Sequence, residues 1–163
     1  MKIQYIILII LIIISMLNFY YFTYGRKIKN NNNKHFEKLK ALLENKEKLY
    51  IKENNIKPIY KNLIVVDNNS GFIILVDEEK SKIIFIEEDN ITSINIKSIE
   101  NIENKIIKNG KFLIEAKLII NTSNNIFTYY FGTKKRKLKS VLSNFIIDNC
   151  NSTYSEIEQL LEK

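Results

Sequence analysis

The chain has 163 residues, which leaves one small domain once an apolar N-terminal stretch is set aside. A single cysteine and a single histidine exclude a disulfide framework within the chain and a cysteine-based zinc site. The net charge of +7 falls almost entirely between residues 26 and 62, and the sequence beyond residue 62 is nearly balanced. Because the excess is local and Lys is abundant throughout, the basic pI does not indicate a nucleic-acid-binding protein.

The first predicted element is a transmembrane helix. Residues 3–25 carry no charged side chain, and as a helix they span about 34 Å, enough to cross a hydrocarbon core of about 30 Å. The aromatic residues that end this stretch are typical of the headgroup level of a bilayer. A cleaved signal peptide is the alternative, but neither a small-x-small cleavage site nor a lipoprotein cysteine follows. We therefore prefer a retained single-pass anchor over residues 1–25.

Positive charges on the two sides of the anchor predict its orientation. Lys2 lies on one side, and Arg26, Lys27, Lys29 and Lys34 lie on the other. Since cytoplasmic flanks are enriched in Lys and Arg, we expect the C-terminal domain in the cytoplasm, although a short N-terminus with Lys2 can also stay inside. Arg26, Lys27 and Lys29 are also candidate contacts for anionic lipid headgroups, which makes membrane lipid an expected partner.

Residues 26–60 form a predicted basic linker that contains a helix. The Asn run at 30–33 has poor helix propensity and predicts a flexible spacer between anchor and helix. Apolar residues at helical spacing then predict an amphipathic helix over residues 34–53. This helix either packs on its own domain or pairs with a second copy as a weak homo-oligomer. We prefer the first, because Lys46 and Glu53 interrupt the stripe that a coiled coil needs.

From residue 62 the hydrophobic period becomes strand-like, and polar clusters separate the β-branched runs. The predicted strands are 62–66, 72–77, 82–87, 91–96, 99–107, 111–121 and 126–132. Asn109-Gly110 is a strong hairpin signal, since both residues tolerate positive φ. The clearest alternation places one set of side chains on the predicted core face: Phe112, Ile114, Ala116, Leu118 and Ile120. Residues 61–163 are thus predicted to form a mostly antiparallel β-sheet or barrel, and the whole chain is predicted to be α+β.

A basic run and an amphipathic helix end the predicted domain. The run is a second candidate contact for anionic lipid phosphates, and a solvated lead-in to the helix is the alternative. Its cations are Lys134, Lys135, Arg136, Lys137 and Lys139. Apolar residues at 3.6-residue spacing from Val141 onward predict the helix, with a break left open at residues 149–153.

Seven antiparallel strands followed by a terminal helix resemble the pleckstrin-homology-like fold, especially small bacterial domains of that family found beside membrane anchors. The hairpin GFIILVDEEKSKIIFI resembles the opening pair of strands, and INIKSIENIE resembles a strand that leads into a backbone bend. The resemblance covers residues 61–163. In that family the fold usually serves as a binding platform for protein or sometimes lipid, and it is not catalytic. Fold similarity does not transfer function by itself.

The sequence indicates no catalytic or cofactor chemistry. There is no nucleophile motif, and the four glycines are too scattered for a phosphate-binding loop. The acidic clusters at 77–79 and 87–89 lack the ligand spacing of a calcium loop, and we interpret them as solvated turns rather than metal sites. We expect no catalytic residue, no metal and no cofactor. The predicted function is a non-enzymatic, membrane-anchored module that binds a protein partner; an anionic-lipid sensor and an oligomerising envelope assembly protein are the alternatives.

Overall fold

The computed structural model describes residues 2–66 and 70–162, without the side chains of residues 2–4, 28 and 29. The chain is α+β, as predicted. Its elements in order are α1 (Lys2–Asn54), β1 (Tyr60–Val66), β2 (Ser70–Asp77), β3 (Lys82–Glu87), β4 (Ile91–Asn95), a 3₁₀ turn (Ile96–Ser98), β5 (Ile99–Asn109), β6 (Phe112–Thr122), β7 (Ile126–Gly132), β8 (Arg136–Lys137) and α2 (Val141–Leu161). They fall into two compact units, Met1–Glu37 and Lys38–Lys163.

The first unit is the N-terminal part of α1. It contains a helical stretch that is long and apolar enough to cross a membrane, by length and composition. Its apolar side chains are exposed rather than packed against other elements; Ile6 and Leu8, for example, are 56% and 55% exposed. Side chains of this kind are stable in hydrocarbon and costly in water. The structure therefore agrees with a single-pass helix.

The predicted spacer at residues 30–33 is wrong, because α1 continues through all four asparagines. Asn is less favourable than Ala in a helix by only a few tenths of a kcal/mol per residue. Helix propagation is easier than nucleation, and the helix is already formed on both sides of the asparagines. Propensity alone was therefore too weak a signal to end the helix.

The first sheet is an antiparallel meander in the order β1-β2-β3-β4. Its two central strands are buried on both faces: the six residues from Gly71 to Val76, with Asp77, are all buried, and so are Ile83 to Ile86. Strands with both faces covered read as continuous apolar runs rather than as alternation. This explains the sequences FIILV and IIFI.

The C-terminal part of α1 covers the outer face of this sheet. Leu39 and Leu43 pack with Ile73, Leu75 and Ile84 in one hydrophobic cluster. The prediction that this helix packs on its own domain is confirmed.

The polar residues within this part of α1 also contact the first sheet. The Lys46 ammonium donates to the backbone carbonyls of Glu87 and Glu88. Glu47, only 4% exposed, accepts from Lys61 Nζ at 2.5 Å. Of the two residues that interrupt the apolar stripe, Lys46 thus contacts the domain, whereas Glu53 is exposed.

The second sheet has the order β5-β6-β7. β8 pairs with the first two residues of β6, Phe112 and Leu113. The inner face of the second sheet, the inner face of the first sheet and α2 enclose the main core. At the centre, the ring of Phe85 stacks on Tyr129 with centroids 3.6 Å apart, and Phe72 packs edge-on against Phe131 at 5.5 Å. The described strands form these two sheets and no closed barrel.

Two details of the β5–β6 hairpin differ from the prediction. The turn residues are Gly110 and Lys111, since Asn109 pairs with Phe112, and only Gly110 has a positive φ, of 55°. A positive φ at the first central position is the pattern of a type II′ turn. The register also shifts where Ile107 pairs with Glu115 but Lys108 pairs with Leu113. This bulge reverses the alternation, so that Leu113 is buried instead of Phe112 and Ile114.

Helix α2 is continuous, without a break at residues 149–153. Ser140 caps it: its hydroxyl accepts from the Ser143 N–H at 3.2 Å. Ile146, Cys150 and Ile157 face the core, as the spacing predicts. Three apolar residues of the first turns, Val141, Leu142 and Phe145, are exposed instead.

Candidate functional site

A basic groove lies beside the β5–β6 turn. It has a volume of about 490 Å³ and is lined by two short segments that the fold brings together: Gly110, Lys111 and Phe112 from the hairpin, and Lys137, Leu138 and Lys139 from the chain before α2. The residues that line it include three lysines and no carboxylate. The groove therefore combines positive charge with an apolar floor formed by Phe112 and Leu138.

Backbone hydrogen bonds fix the two segments of the groove. The Leu138 N–H donates to the Lys111 carbonyl at 3.0 Å, and the Ser140 N–H donates to the Lys137 carbonyl at 3.0 Å. β8 pairs with β6 through Phe112 and Lys137. Hydrogen bonds thus hold the two backbone segments that carry the three lysines. A ligand has to order only the lysine side chains.

The predicted basic run contributes to this groove only in part. Lys137 and Lys139 line it, and Lys135 Nζ lies 4.4 Å from the ring centroid of Phe112, a cation–π contact at its edge. Lys134 lies in the preceding connection and Arg136 in β8, and neither lines the groove.

Sequence reasoning missed Lys111. Lys111 is distant in the chain from Lys137 and Lys139. β8, the two-residue strand that brings it close to them, is too short to produce a periodic pattern in the sequence.

The other predicted lipid contacts belong to the first unit. Arg26 lies on α1 with its guanidinium 3.9 Å from the ring centroid of Phe22. Lys27 is exposed on the same helix, whereas the side chain of Lys29 lies outside the described residues. Arg26 and Lys27 directly follow the uncharged stretch, as cations at the end of a membrane-spanning helix do.

The outer face of the second sheet is a separate surface. In the described part of the unit Lys38–Lys163, no element packs on it, whereas α1 covers the first sheet. Three of its large apolar side chains are exposed: Ile107 by 45%, Ile126 by 73% and Tyr130 by 40%. Their alternating register with Glu115, Lys117 and Asn121 places them on one surface.

Paired charges separate the apolar residues of this outer face. Lys105 Nζ lies 2.7 Å from Glu103, and Lys117 Nζ lies 2.6 Å from Glu115 and 5.6 Å from the Tyr130 ring centroid. The hydrogen bond from Lys105 lowers the pKa of Glu103, and the hydrogen bond to Glu115 raises the pKa of Lys117. The face is therefore electrically balanced.

The acidic clusters do not form a metal site in the described chain, where no group of three or more His, Cys, Asp and Glu side chains is arranged to hold an ion. One member of the first cluster differs from the prediction of a solvated turn. Asp77 is 1% exposed and accepts hydrogen bonds from the backbone N–H groups of Lys57 and Lys80, at 3.2 and 3.0 Å. Its carboxylate stabilises the β2–β3 turn and the entry into β1.

The lone cysteine is a core residue. The Cys150 thiol is buried and donates to Asn104 Oδ1 at 3.1 Å, and burial raises its pKa to about 12. A thiol with so high a pKa is a poor nucleophile at neutral pH. The lone histidine, His35, is exposed on α1.

Comparison with known proteins assigns no family to the chain. It matches no protein-family model, and neither the curated proteins nor the solved structures contain a significant match to it.

Proposed function

We propose that this protein is a membrane-tethered, non-enzymatic interaction module whose β-rich unit binds a protein partner at the membrane surface. The observation that carries the proposal is the outer face of the second sheet, which the described residues of the unit Lys38–Lys163 leave uncovered. The same chain also carries a helix long and apolar enough to span a membrane. The pleckstrin-homology-like resemblance belongs to the same proposal, since that family generally uses its fold as a binding platform.

The chemistry of the outer face favours a protein over other partners. Exposed aromatic and aliphatic side chains separated by paired charges are the composition of a protein interface. A nucleic acid needs an excess of positive charge, which the pairs Glu103–Lys105 and Glu115–Lys117 cancel. Tyr130, held by Lys117, is a ready anchor of the kind that dominates binding energy at such interfaces.

Site-specific photo-crosslinking in the native membrane tests the proposal. A photoreactive residue replaces Thr128 or Tyr130 on the outer face, and Ser152, exposed on α2, provides a matched control position. We expect the same discrete heterologous adduct from both positions on the face and none from the control. Adducts formed equally from Ser152, or none at all, would contradict the proposal. An adduct with a second copy of the chain would favour the oligomerising alternative.

We also propose that the β-rich unit lies in the cytoplasm, because Arg26 and Lys27 follow the uncharged stretch. Protease added to intact cells should leave the unit whole, and the same protease should digest it after the membrane is opened. Digestion in intact cells would place the unit on the opposite side.

A further inference from the structure

We infer that the basic groove binds the phosphate group of an anionic ligand, with Lys111, Lys137 and Lys139 as its contacts. The inference goes beyond the proposed protein-binding function, which uses the outer face of the second sheet, where positive and negative charges are paired. A phospholipid headgroup and a soluble phosphate ester present the same chemistry to the groove, and the experiment below separates them.

Uncompensated charge is the first argument. Each of the three lysines is exposed, and none takes part in an ion pair among residues 2–66 and 70–162. Elsewhere in this unit, Lys57, Lys61, Lys105 and Lys117 each lie within 4.0 Å of a carboxylate. Like charges around one concavity raise the local potential, and an anion in the groove relieves their repulsion.

Backbone order is the second argument. The Lys111 and Lys137 carbonyls both accept backbone hydrogen bonds, so the segments that carry the lysines are held before a ligand arrives. Within the protein, binding then has to order three side chains but not the backbone that carries them. The first turn of α2, directly after the groove, contains no acidic residue to offset the field.

The apolar floor gives the groove its selectivity. Phe112 and Leu138 line it between the lysines, so a ligand with carbon next to its phosphate fits better than inorganic phosphate. A glycerol phosphate group has this character in a phospholipid headgroup and in a soluble ester. The covalent link to a membrane-spanning helix raises the effective concentration of the lipid form.

A fluorescent probe on the full chain tests the inference. Asn109, exposed beside Gly110, is changed to Cys and labelled with an environment-sensitive dye, while Cys150 is buried and does not compete for the label. The labelled chain is placed in nanodiscs of pure phosphatidylcholine and titrated with glycerol 3-phosphate. In a second arm it is placed in nanodiscs that also contain phosphatidylglycerol, without soluble phosphate.

Charge variants assign the response to the groove. Replacing Lys111, Lys137 and Lys139 together by Gln should weaken binding at least about tenfold, whereas replacing all three by Arg should retain it. The matched control replaces Lys48, Lys82 and Lys97 by Gln, which removes the same charge from exposed positions outside the groove.

A dye response in either arm that the groove variant loses and the control keeps supports the inference. A response to glycerol 3-phosphate identifies a soluble ester as a ligand, and a response only to phosphatidylglycerol identifies the lipid headgroup. No response in either arm, or equal weakening by the groove and control variants, overturns it.

Discussion

Glu47 forms a buried contact that its place in the sequence does not indicate. Its carboxylate is buried on α1 and meets Lys61 of β1 at 2.5 Å. We expect Lys61→Met to destabilise the protein by about 1–3 kcal/mol, because a buried carboxylate then loses its hydrogen-bonded partner. Chemical denaturation measures the effect. The control is Lys52→Met, at an exposed position on α1, the helix that carries Glu47. It should change the free energy of unfolding by at most about 0.5 kcal/mol. Equal effects of the two substitutions would mean that the Glu47–Lys61 pair contributes nothing to stability.

Cys150 reports on the integrity of the core. Its pKa rises from 9.0 to about 12 on folding, so between these values the unfolded chain releases a proton that the folded chain retains. Stability therefore falls as pH rises above about 9. At pH 8.5 iodoacetamide should modify the thiol slowly in the native protein and rapidly in denaturant, as followed by mass spectrometry. Equal rates would show that the thiol is not enclosed.

Some positions could not be predicted from the local sequence pattern. Simple alternation correctly places Leu118 and Ile120 in the core. The bulge near Ile114 reverses the alternation, so that Leu113 is buried and Phe112 is not. In the sequence, Asp77 is one of three consecutive acidic residues in a predicted turn. In the structure, its carboxylate accepts hydrogen bonds from two backbone N–H groups. Both cases depend on contacts that no local pattern contains.

Helix α1 runs without interruption through the four asparagines at residues 30–33. Spin labels at positions 21 and 37, both exposed and both in the first unit, lie about 24 Å apart along a continuous helix. Pulsed EPR on the membrane-embedded chain should give a narrow distribution near that distance. A broad distribution would restore the flexible spacer that the sequence predicts.

The long elements were predictable because their periods are strong. All seven predicted strands are present with ends shifted by a few residues at most, and the terminal helix packs on the core from Ile146 onward. β8 was missed because two residues carry no period. The sequence therefore indicated Lys137 and Lys139 as candidate contacts but not Lys111, because the place of Lys111 in the groove depends on the short pairing of β8 with β6.

Both hydrophobic clusters lie within residues 39–161. We expect a fragment of residues 34–163 to fold alone, with more strand than helix in its circular dichroism spectrum. Leu118→Asp should unfold it, because Leu118 is fully buried and an unpaired buried charge costs several kcal/mol, comparable with the stability of a small domain. Thr128→Asp, on the exposed outer face, is the control. A disordered or mainly helical fragment would contradict this account.

We propose that the N-terminal helix remains part of the mature protein and holds the β-rich unit at a membrane. The intact mass of the chain, recovered from native membranes after an alkaline carbonate wash, tests this proposal. We predict that the chain stays in the washed membranes with a mass close to 19.3 kDa, that of the whole sequence. Recovery of the chain in the wash, or a mass that lacks residues 1–25, would contradict it.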